Sequence, residues 1–462
     1  MPTREHFSSR LGFVLITAGC AIGLGNVWRF PFIAGQYGGA LFVLVYIIFL
    51  LIIGFPLMTM ELAIGRASRR SLAQSFEVLQ PDSSSKWRYN KYWMIFGNYV
   101  LMSFYVVVTG WMLYYCIKSF TGEFAALGSA ELAGAAFEHM LATPSDMLVN
   151  TIAVVAVGFC VCALGLRKGV ERVTKPLMFI LLMLLVFLAV RSAFLPGFSQ
   201  GISYYLMPNF NYIEEHGAWG IVEILSAAMS QAFFTLSIGI GCIQIFGTYI
   251  GSERTLGSEA GTIMLLDTTV ALLSGFIIFP ACFSYGVEPT QGPGLIFVTL
   301  VSIFSNMENG YFWGGFFFLF MFFAAMSTLI AVFENIIAIG MELFTTSRRR
   351  SVLVNFIVIL LLSLPCILGF NLLSDVHPLG GSSTFLDLED FIISNNILPL
   401  GALCYVAFIT WRGGWGFEGY RREVNTGQGI MIPDWGLTYY RYVLPAIILV
   451  LFVNCYYVVF WA

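Results

Sequence analysis

The sequence predicts an all-α integral membrane protein of eleven transmembrane helices. Ten of them form a 5+5 inverted repeat (spans 1–5 and 6–10), with broken helices at spans 1 and 6, and span 11 is an addition. Three observations carry this reading. Hydrophobic residues make up 58% of the chain and charged residues only 11%, whereas soluble domains carry about 25% charged residues. Charge-free runs such as 40–60 and 224–252 are as long as the roughly 20 residues that cross a bilayer. Two glycine-bearing interruptions, Ala21-Ile-Gly-Leu-Gly25 and Ser237-Ile-Gly-Ile-Gly241, recur 216 residues apart. Interrupted helices at matching positions in two halves point to an inverted repeat.

Taken in order, the spans are expected near 11–35, 40–65, 90–117, 146–166, 172–195, 220–251, 259–286, 310–346, 352–371, 389–411 and 442–461. Basic residues orient them, because cytoplasmic connections are enriched in Lys and Arg. With the N-terminus cytoplasmic, 20 of the 23 basic residues fall inside. The exceptions, Arg29, Lys118 and Arg191, sit within or near outer helix ends. The C-terminus is then extracytoplasmic, and a plasma (inner) membrane location is expected. The apolar run 293–307 could form a short twelfth span, but counting it would put Arg348–Arg350 outside. It is read as an extracellular helical lid between spans 7 and 8. The repeats occupy 10–195 and 219–412 of a single domain over 1–462, and span 11 occupies 440–462. No cleavable signal is evident at the N-terminus. The nine cysteines lack metal-type spacing and read as reduced membrane residues. A net charge of −3 gives no sign of a nucleic-acid partner.

The breaks carry the functional signal. The stretch AGCAIGLGNVWRFP, 18–31, puts three glycines, an asparagine, an arginine and a proline into a membrane helix. Glycine costs a helix about 1 kcal/mol and proline about 3, and arginine at membrane depth costs about 2.5–3.5 kcal/mol. A lone Gly-x-Gly in an apolar run usually marks close helix packing, and a dinucleotide motif would need a βαβ setting that is missing here. The pairing of two breaks favours function. Unwinding frees carbonyls and amides that lipid cannot satisfy. Inside a protein, those carbonyls suit a cation and the half-helix N-termini suit an anion.

These residues resemble the neurotransmitter:sodium symporter family, particularly its bacterial amino-acid members. The resemblance runs from REHFSSRLGF at Arg4 to the end of span 10, and is most specific in GLGNVWRFP, QAFFTLSIGIG and AAMSTLIAVFEN. It implies two Na+ sites and no organic cofactor. The first would use the Ala21 carbonyl, Asn26, Thr235 and a span 7 ligand. The second would use the carbonyls of Gly19, Ile22 and Ala324 with the hydroxyls of Ser327 and Thr328. Hard oxygen donors suit such a cation, although Ser327 and Thr328 taken alone would read as helix–helix hydrogen bonds.

The resemblance also implies a substrate site. Amides near Ala21–Gly25 and the Tyr105 hydroxyl would hold a carboxylate, and carbonyls near Ala21 and Phe234 an amine. Cys20, Leu101, Val108, Ser237, Ile240, Thr328 and Val332 would form the side-chain pocket, with Phe234 closing over it; for the apolar members, plain core packing is the alternative. Monoamine members carry an aspartate where this chain has Gly23, so the substrate should bring its own carboxylate. Arg29 with Asp390 would gate the outside. Arg4 with Glu342 would gate the inside, helped by Tyr249 and by Phe7, which stands where tryptophan is usual. Glu61 would accept hydrogen bonds from backbone freed at the span 6 break, with proton relay as the alternative.

Ala271 stands where animal members have a chloride-binding serine, and Asp267 where the family usually has its sodium-ligating asparagine. A carboxylate there both ligates sodium and replaces the missing anion; capping within a wet helix end is the competing role. The expected function is sodium-coupled, chloride-independent symport of a hydrophobic or aromatic L-amino acid. The rival is an amino-acid-gated channel or receptor without coupled turnover. No nucleophile, base and orienter fall together, so an enzyme is not expected. The sequence leaves the preferred amino acid, the stoichiometry and the oligomeric state open.

Overall fold

The computed structural model describes residues 7, 9–82, 84–286, 294–411 and 413–461. Among them every regular element is a helix. Ten helices are long and apolar enough to cross a membrane, and the bent pair Arg10–Ala21 and Gly25–Gln36 makes an eleventh span. The others are Ala40–Ser68, Trp87–Phe120, Pro144–Ala163, Leu166–Ser192, Asn211–Leu236, Leu256–Ser284, Gly310–Leu343, Arg348–Leu368, Phe385–Thr410 and Gly436–Tyr457. Span 6 continues past its break as Cys242–Gly247.

Boundaries differ from expectation by a few residues, for local reasons. The helix leading into span 6 starts at Asn211, not 220, but Gly217 at φ 61° and ψ −143° kinks it. Span 9 begins at Arg348, with Ser347 in extended backbone before it, so the three arginines form its first turn. The run at 293–307 folds as the short helix Leu295–Ser305 between spans 7 and 8; its first residue, 293, lies outside the described residues. Phe297 anchors this lid among Trp28, Trp111, Tyr115 and Phe137. The connecting helices Ala130–Ala142, Phe198–Leu206 and Phe417–Val424 were not anticipated.

Burial separates the core from the rim. Spans 3 and 8 are 78% buried along their most apolar windows, whereas spans 5, 9 and 11 are 33%, 33% and 28% buried. A helix that is apolar all round belongs either in a protein interior or against lipid. Spans 3 and 8 take the first place; they pack against each other, and span 1 packs on span 8.

Candidate functional site

The two breaks use glycine differently. In span 1, Ile22 is extended at φ −71° and ψ 97°, and the glycines beside it serve close approach. A methyl group on Gly23 would lie 2.5 Å from both the Thr328 and the Tyr105 hydroxyl oxygens, and one on Gly25 would lie 2.9 Å from the Phe234 ring. In span 6 the conformation itself demands glycine: Gly239 and Gly241 have φ of 100° and 74°, with Ser237 at 51°. Left-handed backbone is cheap only for glycine.

Several freed backbone groups meet a side-chain partner. The Leu24 amide donates to the Tyr105 hydroxyl at 3.2 Å and the Gly23 amide to Asn26 Oδ1 at 3.1 Å. The Gly239 amide donates to Glu61 Oε1 at 2.5 Å. Asn98 Nδ2 donates to the Ile240 carbonyl at 2.8 Å and Gln231 Nε2 to the Gly25 carbonyl at 2.7 Å. Unsatisfied backbone polar groups would cost several kcal/mol each in lipid, so these side chains make the unwinding tolerable.

Two clusters of oxygen form around the span 1 break. In the first, the Thr328 hydroxyl lies 3.2 Å and 3.3 Å from the Gly19 and Ile22 carbonyls. The Ser327 hydroxyl lies 3.2 Å from the Ile22 carbonyl and 2.8 Å from that of Ala324. All five groups implied for the second sodium therefore converge. In the other cluster, Asn26 Nδ2 donates to Asp267 Oδ1 at 2.8 Å and to the Asp267 carbonyl at 3.0 Å. The Thr235 hydroxyl sits 3.2 Å from Asp267 Oδ2. Asp267 is fully buried, and no Lys or Arg among the described residues pairs with it.

Between these clusters lies a cavity walled by Ala21, Gly23, Leu24, Gly25, Leu101, Tyr105, Phe234, Ser237, Ile240, Thr328, Ile393 and Leu398. Three residues expected on its wall are elsewhere. The Cys20 thiol turns toward Cys242 and leaves only its carbonyl near the break, 3.4 Å from the Ser237 hydroxyl. Val108 lies higher on span 3, in a second cavity with Trp28, Arg29, Phe104, Asp387 and Asp390. Val332, one turn past Thr328, is fully buried in the body of the bundle. Conversely, Ile393 and Leu398 on span 10 were not anticipated.

Phe234, with Leu24 and Tyr105, belongs to the walls of both cavities. Arg29 stands over its ring at 4.8 Å, lies 3.2 Å from the Ser230 hydroxyl and reaches to 4.0 Å from Asp390. The arginine thus faces a cavity and not lipid. Toward the N-terminal face, Phe7 meets Tyr249 edge-on at 5.7 Å, and the Tyr249 hydroxyl donates to Glu334 at 3.2 Å. Glu334 pairs with Arg348, whose Nε reaches the Cys162 carbonyl at 2.7 Å. Arg4 lies outside the described residues. Glu342 accepts from the Ser71 amide at 3.1 Å and hydroxyl at 2.7 Å. Glu334 and Arg348 were not assigned a role from sequence, although a carboxylate inside the AAMSTLIAVFEN run is a functional signal by default.

Two broken helices beside an uncharged cavity, with oxygen clusters around the span 1 break, are the arrangement of a secondary transporter. The chain belongs to the sodium:neurotransmitter symporter family, whose sequence model matches residues 4–131 and 135–460. It is 32% identical to an uncharacterized sodium-dependent transporter of Bacillus subtilis, YhdH, over 97% of each chain. Identity to a sodium-dependent dopamine transporter of Caenorhabditis elegans is 27%, covering 69% of this chain and 60% of that one. Among solved structures, that of MhsT in complex with L-phenylalanine superposes with a TM-score of 0.87 at 34% identity, covering 98% of this chain and all of that one. The chain is therefore a multi-pass, sodium-dependent membrane transporter and not an enzyme.

Proposed function

We propose that this transporter couples the inward movement of sodium to uptake of a hydrophobic or aromatic L-amino acid, by alternating access and without chloride. The observation that carries this is the cavity wall: none of its twelve residues is charged. A substrate there must bring its own counter-charges or be neutral overall, as a zwitterion is. The Leu24 amide and Tyr105 hydroxyl, 3.2 Å apart, suit a carboxylate. Carbonyls left free at the breaks suit an ammonium, and Leu101, Ile240, Ile393 and Leu398 suit an apolar side chain. Gly23 adds to this, since a side chain at that position would collide with Tyr105 and Thr328. The L-phenylalanine in the complex of MhsT, a relative at 34% identity, supports the same substrate class.

Two sodium ions would occupy the oxygen clusters, one by Asp267, Asn26 and Thr235, the other by Ser327, Thr328 and the neighbouring carbonyls. The Asp267 carboxylate would supply the negative charge that chloride supplies in animal members, and buried Ala271 leaves no hydroxyl one turn along. Spans 1–5 and 6–10 would act as the two repeats. The lysine and arginine distribution supports a cytoplasmic N-terminus in the plasma membrane. In reconstituted vesicles with an inward sodium gradient, labelled phenylalanine or leucine should accumulate above the external concentration. Equilibration without accumulation would point instead to a channel or receptor, and no uptake of any amino acid would refute the substrate class.

A further inference from the structure

We propose that Ile393 and Leu398 on span 10 set the upper size limit of the transported side chain, and that Gly97 on span 3 positions the wall they belong to. This rests on the reading of the cavity as an amino-acid site. Ile393 and Leu398 line the cavity together with the span 8 hydroxyl Thr328 and the span 3 residues Leu101 and Tyr105. Ile393 lies within a wide helical turn, Phe391–Ile397, and Leu398 directly follows it, with Asp390 just before its start.

The backbone behind this wall has nowhere to retreat. A methyl group on Gly239 would overlap the Leu398 carbonyl, and one on Gly401 would overlap the Gly239 carbonyl. Span 10 and the span 6 break are therefore in backbone-to-backbone contact. On the other flank, a methyl group on Gly97 would lie 2.5 Å from Ile397 Cγ2 and 3.0 Å from Ile240 Cγ2. The missing Cβ of Gly97 is the space into which Ile397 and the pocket residue Ile240 settle. With the backbone pinned on these two sides, room on this part of the wall comes from the side chains at 393 and 398, or from how far Ile240 sits back over Gly97. Interiors packed at this density register a change of one methylene.

The test is sodium-dependent equilibrium binding of tryptophan, phenylalanine, leucine and alanine to the purified full-length protein. Ile393→Ala and Leu398→Ala should each shift the ratio of tryptophan to alanine affinity by about tenfold or more toward tryptophan. Ile393→Val should give a smaller shift of the same sign. Gly97→Ala, which touches no substrate, should move the ratio the other way, and Ile397→Leu added to it should restore the ratio by removing the methyl that faces position 97. Retained alanine binding in each variant reports that the protein is folded. Ratios unchanged in the 393 and 398 variants, with wild type binding these amino acids, would overturn this inference alone. A wild type that binds none of them in sodium would overturn the substrate reading beneath it.

Discussion

Asp267→Asn removes one negative charge from the bundle interior and almost nothing else. The side chains are nearly the same size, and the amide oxygen can still accept from Asn26 Nδ2, now 2.8 Å from the carboxylate. Thr235 can rotate its hydroxyl to suit either group. The fold should therefore survive, and the change isolates the charge. In the proposed site that charge is paired with a sodium ion in surroundings that supply only neutral dipoles. Removing one partner of a buried charge pair costs about 3–5 kcal/mol, and hydrogen bonding to the charged form persists only in part. Taking about 3 kcal/mol, sodium affinity should fall by roughly two orders of magnitude, since 1.4 kcal/mol is tenfold.

The assay is sodium titration of labelled amino-acid binding, run in chloride and again in gluconate. Wild type should give the same curve in both. Asp267→Asn should need about a hundredfold more sodium in gluconate. Asp267→Asn with Ala271→Ser, which puts a hydroxyl one turn along the same face, should recover part of the loss in chloride only. An unshifted sodium curve in Asp267→Asn would show that the carboxylate does not ligate the ion. Wild-type uptake falling sharply in gluconate would refute the argument for chloride independence.

Other consequences are more direct. Ile240→Phe should weaken tryptophan and phenylalanine binding by tenfold or more while changing alanine and valine little, because added volume in a packed wall costs about 1–3 kcal/mol; equal losses in a binding series would count against it. Arg29→Ala removes the ring contact with Phe234 and the approach to Asp390, so transport should be abolished while much of the equilibrium sodium-dependent binding remains; complete loss of binding in folded protein would place Arg29 in the site itself. Glu334→Gln leaves Arg348 facing a neutral amide and should lower stability by about 1–3 kcal/mol, read as a reduced melting temperature in detergent that Arg348→Gln partly shares; a melting temperature equal to wild type would remove the pair from the N-terminal-face barrier.

The span 1 break was legible because glycine, proline and a charge inside an apolar run have no cheap explanation in a membrane helix, and the span 6 break through its match to that motif 216 residues on. The five-oxygen cluster was legible only through resemblance, since Ser327 and Thr328 taken alone read as ordinary interhelical hydrogen bonds. The pocket wall was least legible. Ile393 and Leu398 stand on either side of the polar run Ser394-Asn395-Asn396, and periodicity cannot say which side of such a helix meets a cavity and which meets a neighbour. Val332 fails for the same reason in reverse: it is one turn from Thr328, but helical stacking places it along the helix axis, not at the same depth. The Glu334–Arg348 pair joins residues only fourteen apart, yet it forms across the turn between spans 8 and 9, which no span-by-span reading covers.

The arrangement of the two oxygen clusters bears on how ions and substrate would be coupled. A ligand shifts a conformational equilibrium only by its differential affinity for the two states. The Ser327–Thr328 cluster draws oxygens from span 1 and span 8, so any movement of span 1 away from span 8 dismantles it. The Asp267 cluster draws on spans 1, 6 and 7, so separating span 1 from span 7 dismantles that one. A cation at either place therefore opposes displacement of span 1, while the Leu24 amide and Gly25 backbone of that same span form part of the substrate cavity. Sodium and substrate would thus stabilise one position of one element, without any contact between them being required for cooperativity. The converse holds for release. Once span 1 swings from span 8, the hydroxyls of Ser327 and Thr328 would lose the Gly19 and Ile22 carbonyls together, and a cation held there would lose most of its ligands. Thr328 also lines the cavity proposed for the substrate, so loss of that cation would alter the wall next to the substrate.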